Sequence, residues 1–131
     1  MLNRRVKMQN EVKWDYDFVG DSLFIKIIKD YKYRESVEVT CDVILDIGED
    51  NKPVALEILD VSKLFKLKKL YIRQLTSLKA NIKITEDIIN IKTSFSFLVH
   101  QKSTQKSLNE QAVNDISLPV FETNFATASA K

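Results

Sequence analysis

IINIKTSFSFLV, residues 88–99, decides the fold class. Ile89, Ile91, Thr93, Phe95, Phe97 and Val99 alternate with Asn90, Lys92, Ser94, Ser96 and Leu98. An extended chain points successive side chains to opposite faces, so this pattern predicts a strand with one buried, partly aromatic face. SLKANIKIT (77–85) alternates in the same way, with Leu78, Ala80, Ile82 and Ile84 set against Lys79, Asn81 and Lys83. Thr85-Glu86-Asp87 between them reads as a hairpin tip. It lacks the Asn-Gly chemistry of the tightest turns, which predicts a loop longer than two residues. Further out, SLFIKII (22–28), SVEVT (36–40), DVILDI (42–47) and PVALEIL (53–59) read as strands. Pro53 is tolerated at the start of the last, where no ladder N–H is needed. DFVGDS (17–22) and GEDNKP (48–53) carry the residues of turns.

One stretch has helical spacing. In VSKLFKLKKLYIRQL (61–75), Leu64, Leu67 and Tyr71 share a face, and Asp60 or Ser62 is placed to cap the first turn. Tyr71 and Ile72 favour strands, so the helix is expected to end near Lys69. Beyond His100 the alternation fades. QKSTQKSLNEQAVND (101–115) reads as a polar loop, ISLPVFETNF (116–125) as an edge strand interrupted by Pro119, and 126–131 as a frayed tail. The expected architecture is α+β: mainly an antiparallel β-sheet meander with one short helix at about 61–69. Its organisation is an N-terminal arm (1–11), a β-rich domain (12–100, with a core at 12–66 and a hairpin extension at 77–100) and the segment 101–131.

The chain has 131 residues, a formal net charge of +2, two glycines, one cysteine and one histidine. Gly20 and Gly48 alone build no glycine-rich phosphate loop. Cys41 and His100 alone supply no four-ligand zinc site, and one cysteine forms no disulfide within the chain. Apolar runs are far too short to span a bilayer, and the basic start MLNRRVK is followed by no apolar stretch of a secretory signal. No cofactor, metal or membrane partner is therefore expected, and the expected compartment is the cytoplasm. Charge is segregated: residues 35–60 hold eight acidic residues and one basic, residues 61–85 seven basic and none acidic. Such blocks either neutralise each other in the fold or serve as separate binding faces.

Tyr16-Asp17, then Asp21-Ser22-Leu23-Phe24-Ile25, Asp46, Leu56-Glu57-Ile58-Leu59 and Ser62 resemble, in order and spacing, the prokaryotic family known as domain of unknown function 2283. The resemblance covers about residues 12–66, with Ala55 where the family usually has glycine and Pro53 after the turn. It implies a small antiparallel sheet with one short helix and leaves residues 77–100 as an extension. Some members resemble partners encoded beside small toxin-like proteins, which implies an antitoxin-like role by association.

Two features carry candidate chemistry. Glu57 shares a strand face with Ala55 and Leu59, where a carboxylate must be paired or at the rim. It reads as an ion-paired structural group rather than a catalytic acid, because no catalytic companion is identifiable. Lys63, Lys66, Lys68, Lys69 and Arg73, with Phe65 and Tyr71 among them, form the basic segment. It reads as a solvated or internally paired face, with phosphate neutralisation and base stacking as the functional alternative. Arg4, Arg5 and Lys7 are expected to reinforce it if the N-terminus folds back. His100 reads as solvated, and Cys41 as a small core residue. With no catalytic set, the sequence favours a non-enzymatic module acting through protein contacts or self-association, and a nucleic-acid-binding module is the alternative.

Overall fold

The computed structural model describes residues 8–128, so Arg4, Arg5 and Lys7 lie outside the described residues. Among the described residues nine strands form one sheet: β1 Met8–Asp17, β2 Ser22–Ile27, β3 Tyr33–Thr40, β4 Val43–Gly48, β5 Pro53–Ile58, β6 Leu75–Ile84, β7 Ile88–Val99, β8 Lys102–Val113 and β9 Phe121–Ala126. Their order is β3-β4-β5-β2-β1-β9-β6-β7-β8. All neighbours are antiparallel except β1 and β9, which run parallel, so the sheet is mixed and not a simple meander. It curls until the two outermost strands, β3 and β8, approach to within 8 Å between Cα atoms without forming a ladder.

The alternating strands bury the faces their sequences dictate. Val37, Leu45, Leu56, Ile25 and Trp14 lie side by side across β3, β4, β5, β2 and β1. Ile82, Ile84, Ile89, Ile91, Phe95 and Phe97 fill the interior from the other half. The β6–β7 hairpin turns through Thr85, whose hydroxyl accepts hydrogen bonds from the amides of Asp87 and Ile88.

Three segments differ from the sequence reading: residues 8–17, where the sequence pattern marked no strand, form β1 between β2 and β9, and two further segments lie beyond His100. Residues 102–113 form a 12-residue strand, paired with β7 without interruption from Ile88–Val113 to Val99–Lys102. Its inward row is Thr104, Lys106, Leu108, Glu110 and Ala112, only half-buried, so no hydrophobic alternation marks it. The apolar face of β7 supplies what its own pattern lacks, and inward charges are a common guard on an edge strand. Phe121–Ala126 is not at an edge: it lies between β1 and β6, with Thr123 and Phe125 fully buried. The connection before it is held by Asn114, whose side chain donates to the carbonyls of Thr85 and Leu118 and accepts from the Leu118 amide.

The single expected helix is two short ones, α1 Val61–Phe65 and α2 Lys69–Ile72. The break is at Lys66, which adopts a left-handed conformation (φ 55°) that ends α1 while the Leu67 amide bonds back to the Ser62 carbonyl. A residue with a Cβ pays a steric penalty there that glycine does not. Lys66→Gly is therefore expected to raise stability by about 1 kcal/mol, read as a higher denaturant midpoint in an otherwise unchanged unfolding curve. None of the described helices is long and apolar enough to cross a membrane.

Candidate functional site at the helical end

The turn after β1, the start of β2, and α1 and α2 meet at one end of the sheet, with Asp21 at their junction. Asp21 is 5% exposed and in the left-handed region (φ 57°). Its carboxylate accepts from Tyr16 Oη at 2.6 Å, Ser62 Oγ at 2.7 Å and the Ser62 amide at 3.1 Å. Its carbonyl accepts from the Val61 amide at 3.1 Å. The amides that open α1 are thus capped by a residue about 40 positions upstream. Neither sequence candidate caps with its side chain: Asp60 contributes only its carbonyl, and the Ser62 hydroxyl donates to Asp21. Burial by itself raises the Asp21 pKa, but the bonds from Tyr16 and Ser62 and the charge of Lys69 outweigh it and hold the carboxyl below its ordinary value. Burial, then the bond to Asp21 and its charge, push the Tyr16 phenol well above its ordinary range. The proton therefore stays on Tyr16, and Asp21 is a saturated anionic latch.

The basic segment splits into two groups. Lys69 Nζ and Arg73 Cζ sit 5.5 Å and 5.3 Å from the centre of the Phe18 ring, and Lys69 Nζ lies 3.5 Å from the Val19 carbonyl. Both cations are thereby placed against the β1–β2 turn. Lys63, Lys66 and Lys68 point to solvent. Around them, Phe18 is 45%, Val19 88% and Leu70 56% exposed. Phe65 turns inward from α1, its ring 5.0 Å from Phe95 and 5.8 Å from Phe97 between centroids. Tyr71 Oη meets His100 Nε2 at 3.1 Å, which ties α2 to the β7–β8 turn, where His100 and Gln101 are both left-handed.

Glu57 is not brought to this cluster. It is half-buried on the outer face of β5, paired in register with Phe24 on β2 and Ile44 on β4, and among the described residues no ion pair joins it to Lys63–Lys69. Cys41 is exposed in the β3–β4 turn rather than in the core, and the neighbouring Asp42 charge raises its thiol pKa. Among the described residues no group of three His, Cys, Asp or Glu is placed to hold a metal ion. Sequence reading missed Asp21 as the organising residue. The available signal was that Tyr16, Asp21 and Ser62 all belong to the motif that carries the family resemblance.

A family model described as a protein of unknown function (DUF2283) matches residues 13–62, the span from β1 to the first turn of α1. A Methanosarcina mazei protein named "Putative hypoxanthine phosphoribosyltransferase" is 38% identical over 108 residues, covering 82% of this chain and 86% of that protein. An uncharacterized protein of Methanocaldococcus jannaschii is 30% identical over 109 residues, covering 82% of this chain and 92% of that one. Both alignments are much longer than the 13–62 match, so part of the β6–β9 half is shared with these relatives. No solved structure matches the chain.

Proposed function

The chain belongs to the DUF2283 family, and on that premise we propose that it is a non-catalytic protein-interaction module whose docking face is the helical end of the sheet. The observation that carries this reading is the exposure of Phe18, Val19 and Leu70 in a setting fixed by Lys69 and Arg73. Exposed apolar side chains rimmed by cations fit a partner surface with an apolar centre and a carboxylate border. An antitoxin-like partnership is one form such a role takes. The exposed Cys41 suits a reducing cytoplasm.

The non-catalytic part rests on how the candidate acids and bases are engaged. Asp21 is saturated, His100 is bonded to Tyr71, and Glu57 lies between apolar neighbours on the outer face. Nucleic-acid binding by the basic segment has less support, because Lys69 and Arg73 are turned onto Phe18.

The test is purification of the tagged chain from its native host at low salt, beside the double variant Val19→Asp, Leu70→Asp. A stoichiometric protein companion present with the wild type and lost with the variant is the expected result. A companion retained by the variant, or a wild-type protein that purifies without a protein companion, overturns the reading. Transfer of a phosphoribosyl group to hypoxanthine by the pure chain overturns it too, and moves the weight to the name carried by the Methanosarcina mazei relative.

A further inference from the structure

The far end of β2 carries an arrangement the helical end does not explain. Lys13 on β1 and Lys26 on β2 are directly opposite in the antiparallel ladder, both on the outer face. Like charges at such a position have Cβ atoms only about 5 Å apart and destabilise the pair. Lys29 lies in the bend just after β2, and the three lysines line a cleft of about 340 Å³ together with Tyr31 and Tyr33. Asp30 is the one carboxylate in its wall. Among the described residues no ion pair reaches any of the three lysines, although Glu11 and Asp15 flank Lys13 along β1. The nearest carboxylate in the same cross-strand row is Asp46, which is separated from Lys26 by the buried Ala55 and accepts from the Ser36 hydroxyl. Ser36 in turn meets the Tyr33 hydroxyl at 2.8 Å, which fixes a ring that is 56% exposed.

We propose that this cleft binds the phosphate of a nucleotide, with Lys13, Lys26 and Lys29 on the phosphate and the base against Tyr33. A dianion between Lys13 and Lys26 turns their repulsion into attraction to a shared partner, and an anchored tyrosine ring offers a stacking face at little entropic cost. The same chemistry serves a free nucleotide or one unit of a single strand. The site is independent of the docking face, which lies at the opposite end of β2.

The experiment measures binding to the pure full chain of adenosine 5′-monophosphate, adenosine, inorganic phosphate and a short labelled single-stranded oligonucleotide. The monophosphate is expected to bind, adenosine to bind at least about tenfold more weakly, and affinity to fall with added salt. Tyr33→Ala is expected to weaken the monophosphate and leave inorganic phosphate unchanged. Lys13→Glu is expected to lose at least about tenfold in affinity for the monophosphate while its unfolding transition stays cooperative. Lys66→Glu, at the helical end, is expected to bind as the wild type does. An oligonucleotide that binds more tightly than the monophosphate identifies a single strand as the source, and equal affinities identify a free nucleotide. Absence of binding by both, adenosine equal to the monophosphate, or a folded Lys13→Glu protein with unchanged affinity overturns the proposal.

Discussion

Asp21→Ala lowers the unfolding free energy by about 3 kcal/mol, read by chemical denaturation at neutral pH. The carboxylate is nearly fully buried and accepts three hydrogen bonds, from Tyr16 and twice from Ser62. Removing it leaves the Tyr16 hydroxyl and two Ser62 donors without their acceptor, and places alanine in a left-handed conformation that costs about 1 kcal/mol more than it costs asparagine or glycine. Asp21→Asn tolerates that backbone and keeps one acceptor oxygen, so its smaller loss reports the charge together with the second acceptor. The pH dependence follows from the direction of each shift. Asp21 has a lowered folded pKa, so its contribution is complete above the ordinary carboxylate value of 3.8 and is lost as pH falls through the lower folded value. Tyr16 has a raised one: above its ordinary value of 10.0 the unfolded chain releases the phenolic proton while the folded chain keeps it, so stability falls as pH rises past that point. Asp21→Asn should flatten the acid limb and Tyr16→Phe the alkaline one. A loss below about 1 kcal/mol for Asp21→Ala, with both limbs unchanged, would show that the latch carries no weight.

Strands whose inner and outer rows differ in polarity were legible from sequence, because burial of one face writes itself into the chain. That holds for β2, β6 and β7, whose buried rows alternate as read. It fails for β8, an edge strand with lysine and glutamate in its inward row, where pairing with β7 decides the structure. The strand at β9 was legible but its place was not, because its parallel partnership with β1, a strand no pattern marked, leaves no local signal. The helix break at Lys66 had no glycine or proline to announce it. At the candidate sites the limit is of the same kind. The lysines of 63–73 were visible as a run, but their division depends on where Phe18 lies. Lys13 and Lys26 are ordinary in sequence and become an electrostatic problem only once the β1–β2 register sets them face to face.

Phe65→Ala has a comparable or larger effect, a loss of about 3–5 kcal/mol. The ring is 3% exposed and packs against Phe95 and Phe97, so truncation leaves a cavity among side chains that β7 holds in place. Phe65→Leu, which fills most of that space, should lose only about 1–2 kcal/mol. The two large effects are coupled. α1 has five residues, too few to be helical on its own, and is held at its start by Asp21 and at its end by Phe65. Once either anchor is gone, the other holds a segment that is already loose. The double variant Asp21→Asn, Phe65→Ala is therefore expected to lose less than the sum of the single losses, by at least about 0.5 kcal/mol. Strict additivity would mean that the latch and the aromatic plug stabilise separate parts of the chain, and that α1 is not the element through which the helical end is held to the sheet.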